Sequence, residues 1–162
     1  MGCRLLADTR PHRRFHWPAG LVHFVTKIYE GQRSPSAVLM GSEFVSFDAE
    51  KRELTTRYTP PPSFASPRGA VQGGLIAGFL DEVMGGALLA TTDGSEYGQK
   101  LPLNLDMNLT FLRMVPLSTI TAKGRVVKHG ARVAFLEGEL FDEDGNMLAR
   151  ATSTAIPTDL PE

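Results

Sequence analysis

Between Leu101 and Leu112 apolar and polar positions alternate. Leu103, Leu105, Met107, Leu109 and Phe111 hold one parity; Asn104, Asp106, Asn108 and Thr110 hold the other. A period of two belongs to a strand with one face buried, so the pattern predicts a strand with the five apolar side chains on the core side. Three more runs of strand character follow, STITAKGRVV, RVAFLEGELF and MLARATSTAI. His129-Gly130 and Glu143-Asp144-Gly145-Asn146 separate them as turns. Upstream, LMGSEFVSF and RELTTRYTP read as two strands around Asp48-Ala49-Glu50. PPPSFASPRG reads as irregular chain, because proline removes backbone donors and breaks ladders.

The segment from Gly73 to Ala90 has a different character. Its apolar residues surround a helical axis, which predicts a helix buried on most sides. Its only charges, Asp81 and Glu82, stand side by side in the middle. The length suits a bilayer, but each acid at the centre costs about 2.5–3.5 kcal/mol there, so a buried helix of a soluble protein is the better reading. Gly78, Gly85 and Gly86 each cost a helix about 0.8–1 kcal/mol against alanine. Close packing by another element, which glycine permits, must hold it instead. Strands, one long helix and four strands joined mainly by short turns predict an α+β domain with an antiparallel sheet.

Residues 1–35 read as an extension and 36–162 as the domain. The extension carries a short amphipathic piece, Leu21, Phe24, Val25 and Ile28, stopped by Gly31, and RSPS reads as a linker. The 17 Lys and Arg against 18 Asp and Glu give no polyanion signal, so nucleic acid is not the expected partner. A single cysteine favours a reducing compartment, and the Arg-bearing start lacks the apolar core of a secretory signal. A cytoplasmic protein is expected. Met1-Gly2 is followed by Leu6 where myristoylation wants Ser or Thr. No metal-binding spacing, Gly-x-Ser-x-Gly elbow or phosphate-binding glycine loop occurs.

SPRGAVQGGLIAGFLDE, NLDMNLTFLR, GRVVKHGARVAFLEGEL and DEDGNMLARATSTA together resemble the hotdog-fold thioesterases, in the phenylacetic-acid-pathway-like branch. The resemblance runs from about Met40 to Ile156. That family's pattern is Asn, Gly, then His or Gln before a double glycine, with an acid nine residues after the His or Gln. Gly69, Gln72, Gly73, Gly74 and Asp81 fall on those positions. The resemblance implies a curved antiparallel sheet wrapped around one long central helix. It also implies metal-free, cofactor-free hydrolysis of acyl-coenzyme A thioesters at sites shared across a dimer interface. On that carry-over Asp81 is the catalytic carboxylate and Gly73 the helix-start amide. Gln72 stands for the common His, and Ser66 stands where many members have Asn. Gly74 and Asn104 are expected beside the substrate.

The residues support the same chemistry independently. The first turn of a helix offers unpaired N–H groups and a positive dipole end to a developing oxyanion. A carboxylate can activate water or attack directly, and burial within this helix would disfavour its charged form. Gly73 and Asp81 are about 12 Å apart along one helix axis, too far to serve one carbon atom. A two-fold partner with an antiparallel helix solves this, which predicts an obligate dimer, or a dimer of dimers, with two composite sites. Asp81 shares its helix row with Gly74, Ala77, Gly78 and Gly85, which leaves room for substrate; Glu82 is expected to meet a cation or polar group at the subunit contact. Arg113, Arg125, Lys128 and Arg132 are candidates for coenzyme A phosphates, or solvated surface charges. Asn104, Asp106 and Asn108 either line the acyl pocket or the dimer seam, or form the polar face of a sheet. Phe79, Met84, Leu88 and Phe111 line an acyl pocket or are core. Two other functions remain open: a non-catalytic acyl-coenzyme A sensor, and a dehydratase or hydratase, for which Gln72 lacks the proton-shuttling imidazole.

Overall fold

The computed structural model of the protein describes residues 34–92 and 100–159. The amphipathic piece expected around Leu21–Ile28 lies outside them. Six strands form one antiparallel sheet: β1 (Ser42–Asp48), β2 (Glu53–Tyr58), β3 (Lys100–Phe111), β4 (Ile120–His129), β5 (Ala134–Phe141) and β6 (Met147–Asp159), in the order β1-β2-β4-β5-β6-β3. A short helix α1 (Pro35–Leu39) precedes them, and one long helix, α2 (Gly73–Thr92), lies between β2 and β3 in sequence. This is the curved sheet and central helix of the hotdog fold.

Two local expectations change. Ser34-Pro35-Ser36, expected within a linker, is a helix start. The Ser34 hydroxyl accepts from the Ala37 N–H, and Pro35 fills the first helical position, where its missing donor costs nothing. The proline-rich stretch contains a 3₁₀ turn, Pro62–Phe64, and a single bridge pairs Ala65 with Val71. Phe64 is buried there, its ring 6.3 Å from that of Phe79.

Helix α2 buries Ile76, Phe79, Leu80, Val83, Met84, Ala87, Leu88 and Thr92 against the sheet. Its backbone rests almost directly on β4: a Cβ added at Gly124 would run into the Val83 carbonyl. At Gly138 on β5 an added Cβ would lie 3.0 Å from Met84 Cγ. Tyr58 completes this core, its hydroxyl donating to the Phe79 carbonyl at 3.2 Å. The helix is not buried on most sides within one chain. Gly74 and Asp81 are exposed, and Ala77, Gly78 and Gly85 only partly covered. Apolar periodicity cannot distinguish a helix surrounded by its own chain from one with a bare side of small residues. By length and hydropathy α2 is the one helix among the described residues that meets the criteria for crossing a membrane; here it is the helix packed on the sheet.

The alternation in β3 is interrupted. Asn104 pairs with Ala155 and Asp106 with Thr154, so Leu105 is an extra residue in a β-bulge. A one-residue insertion inverts the facing of everything beyond it. Pro102 and Asn104 therefore face α2 before the bulge, and Met107, Leu109 and Phe111 face it afterwards. Leu103 and Leu105, expected in the core, are 52% and 56% exposed. Asn104 parts company with Asn108 and Thr110, which border a polar depression with Glu137, Glu139 and Arg150 on the opposite sheet face.

Candidate active site

The start of α2 is held from both sides. Val71 N–H donates to the Val115 carbonyl and Gln72 N–H to the Phe64 carbonyl, both at 2.9 Å. Gln72 Oε1 then folds back to accept from the Gly74 N–H at 2.7 Å, while Leu75 and Ile76 bond to the Gln72 carbonyl. Of the first-turn donors only the Gly73 N–H makes no hydrogen bond among the described residues. Gln72 thus acts as a helix cap, and Gly74 contributes no free amide.

Gly73 opens into a cleft of about 380 Å³ lined by Ser66, Arg68, Ile76, Phe111, Arg113 and Met114 among others. Ser66 lies in a tight turn whose ends are tied by Ser66 N–H to the Ala70 carbonyl and Gly69 N–H to the Ser66 carbonyl, with Gly69 at φ 74°. Its turn role and its position on the cleft are both satisfied. Arg68 and Met114 were not legible as cleft residues, because they lie in irregular chain without periodicity. Phe111 was left open between pocket and core, and it lines the cleft. Phe79, Met84 and Leu88 are core residues, fully or almost fully buried.

Two turns along α2, Asp81 is exposed on the bare side of the helix within one chain. Its carboxylate accepts a hydrogen bond from Asn104 Nδ2 on β3. The bulge at Leu105 makes this contact possible by keeping Asn104 on the helix side. Asn104 Oδ1 is buried and has no partner among the described residues. Glu82 points elsewhere: the buried Ser42 hydroxyl at the start of β1 donates to its Oε1 at 2.6 Å. Glu82 thus finds one polar partner within its own chain.

The expected site residues fall into two groups. Ser66, Gln72, Gly73, Gly74 and Arg113 gather at the start of α2. Asp81 and Asn104 form the second group further along the helix. Lys128 and Arg132 join neither group: they lie at the β4–β5 turn, three strands from β3. The pairings His129–Ala134, Ala134–Ala155 and Ala155–Asn104 put the β4–β5 turn at the Asn104 end of the sheet. Arg125 is engaged on the sheet surface with Glu137, which raises its pKa above the ordinary arginine value. Among the described residues no three His, Cys, Asp or Glu side chains are grouped to hold a metal.

Comparison with known proteins adds a frame to this geometry. The model of the thioesterase superfamily matches residues 68–149, from just before α2 into β6. A phenylacetic acid degradation-related protein from Ralstonia eutropha is 29% identical, with a TM-score of 0.72 over 82% of this chain and 98% of its own. The Escherichia coli PaaI protein of the phenylacetic acid degradation operon shares the fold at 16% identity, with a TM-score of 0.70 over 85% and 96% of the two chains. A Streptococcus mutans protein whose structure contains acetyl-coenzyme A does so at 20% identity, with a TM-score of 0.63 over 75% and 91%. No curated protein matches the sequence.

Proposed function

The chain belongs to the thioesterase superfamily, and from that premise we propose that it hydrolyses acyl-coenzyme A thioesters at a site shared between two copies of itself. The observation that carries this reading is the pairing, on one helix, of an unengaged first-turn amide at Gly73 with a carboxylate at Asp81 oriented by Asn104.

In this mechanism the thioester carbonyl oxygen lies against the Gly73 N–H, which stabilises the oxyanion as it forms. Water adds to the carbonyl carbon and gives its proton to Asp81. The intermediate then collapses, the carbon–sulfur bond breaks, and the coenzyme A sulfur leaves, taking the proton from Asp81. In a second route with the same geometry the carboxylate itself attacks the carbonyl carbon, the carbon–sulfur bond breaks as the coenzyme A thiolate leaves, and water then cleaves the resulting anhydride to free acid and Asp81. Label in Asp81 after a single turnover in ¹⁸O-water identifies the second route with water attacking the aspartyl carbonyl, because the first route never exchanges an Asp81 oxygen.

Gly73 and Asp81 are about 12 Å apart along the axis, so each site takes its amide from one chain and its carboxylate from the partner. The contact that accomplishes this is β3 to β3. The strand is a sheet edge twelve residues long with exposed leucines at Leu103 and Leu105, and such an edge is a template for pairing. Along the helix-facing side Asn104 stands by Asp81 and Phe111 by Gly73. A two-fold axis between Met107 and Asn108 would set the partner's Asn104 opposite this chain's Phe111, and the partner's Asp81 toward Gly73. The same operation would carry Lys128 and Arg132 of one chain toward the cleft of the other, where with Arg113 they would meet coenzyme A phosphates.

Thiol release from a panel of acyl-coenzyme A esters tests the proposal. Wild type should turn over at least one class of ester, and Asp81→Asn should lose about 10²- to 10⁴-fold in kcat. Undiminished activity in the variant removes Asp81 from the chemistry. Tight binding without turnover of any ester by wild type assigns the protein as a sensor instead.

A further inference from the structure

We propose, resting on the thioesterase reading, that Phe111 is the specificity-determining residue of the site: its ring walls the cleft beside the Gly73 amide and excludes acyl groups branched at the carbon next to the thioester carbonyl. Phe111 ends β3 on the helix-facing side, in one row with the fully buried Ala149 and Leu140. Its backbone has little freedom. It pairs with Ala149, and the next two amides, of Leu112 and Arg113, both donate to the Leu148 carbonyl at 2.9 and 3.0 Å. Only rotation about its own side-chain bonds can move the ring.

The ring's tip points at Gly73. A Cβ built on that glycine would lie 3.3 Å from Phe111 Cζ and 3.6 Å from Cε1. Yet Phe111 is 54% exposed, so the ring stands in the cleft rather than in the core. Buried Val71, Ile76 and Val115 form the cleft floor, and Met114, 71% exposed, stands on its open side. An acyl carbonyl that reaches hydrogen-bonding distance of the Gly73 N–H, about 3 Å, brings its α-carbon against this ring. A straight chain or a flat group lies alongside it. A quaternary α-carbon must displace a side chain whose backbone cannot yield, and one methyl group in such a pocket changes kcat/KM by about 10- to 200-fold.

The test compares wild type, Phe111→Ala and Phe111→Leu on butyryl- and pivaloyl-coenzyme A. Wild type should prefer butyryl, and the ratio of the two kcat/KM values should fall at least about tenfold in Phe111→Ala, less in Phe111→Leu. An unchanged ratio overturns the proposal, and if the alanine variant does not fold the leucine variant decides alone. Calorimetric affinities for two inert ketone analogues, with a methylene between sulfur and the butyryl or pivaloyl carbonyl, make the wall testable apart from turnover. Absence of thiol release by wild type defeats the thioesterase reading. The wall then stands if wild type binds the straight analogue more tightly and Phe111→Ala loses that preference. Equal affinity of wild type for both analogues, or binding of neither, overturns it.

Discussion

Gly73 matters for what it lacks and for what it presents. A side chain there would press on Phe111, and its N–H is the first-turn donor that Gln72 leaves unengaged. Proline is well suited to the first helical position, and the nearest atoms its Cβ would meet belong to the rotatable Phe111 side chain, so Gly73→Pro should preserve α2 while deleting that donor. Its kcat should fall about 10²- to 10³-fold, the usual cost of losing an oxyanion donor, with the circular dichroism spectrum unchanged. Wild-type kcat in this variant would show that the amide is not used. In the proposed mechanism Asn104 acts through Asp81, whose carboxylate it holds. Asn104→Ala should therefore lower kcat about tenfold and leave KM within a factor of two or three, on the order expected when one positioning hydrogen bond is lost. A change confined to KM would return Asn104 to substrate binding.

Individual elements carry their own constraints. The crossing of α2 over β4 depends on Gly124, because the atoms an added Cβ would meet belong to the helix backbone at Val83 and Met84, which cannot rotate away. Gly124→Ala should destabilise the fold by about 1–3 kcal/mol, the range for overpacking. It would be seen as a lower urea midpoint with an unchanged slope. In the β5–β6 turn Asp142 accepts from the side chain and backbone of Asn146 and from the Asp144 N–H, and Gly145 supplies φ 81°. The Asn146 side-chain hydrogen bond leads in holding the Asp142 carboxyl below the ordinary aspartate value, the backbone donors adding to it. The folded chain thus binds this proton less readily than the unfolded chain. The stabilisation is complete above the ordinary aspartate range and is lost as pH falls through the lower folded value. Asn146→Ala should move the NMR titration midpoint of Asp142 up toward the ordinary value; an unmoved midpoint would show that the backbone donors suffice.

The proposed composite site is a property of the whole assembly. Neither Asp81→Asn nor Gly73→Pro should be active alone, but a mixed dimer holds one site with both intact residues and one with neither. After unfolding and refolding in equal amounts, half the dimers are mixed, so the mixture should recover about a quarter of wild-type activity. Additive, near-zero activity would show that each site is built within one chain. Sedimentation should report a dimer or a dimer of dimers, and a lone active protomer would contradict the shared site.

The six strands and the long helix could be read from the chain, whereas the short helix α1 and the 3₁₀ turn could not. Strand-like runs marked the six strands and apolar residues around the axis the long helix, the turn residues at 143–146 fixed one hairpin, and the spacing of Gly73 and Asp81 placed both on one helix. Local chemistry determines such features, because each depends on residues within a turn or a strand. Tertiary structure decided the rest. The bulge at Leu105 arises from pairing with β6, a partner fifty residues away in sequence. It turned Asn104 toward Asp81 and Leu103 toward solvent, against the alternation. The bare side of α2, the Ser42 partner of Glu82 and the ring of Phe111 over Gly73 likewise depend on where distant segments come to rest. No window of sequence contains that information, because an apolar or polar residue does not specify which neighbour will meet it.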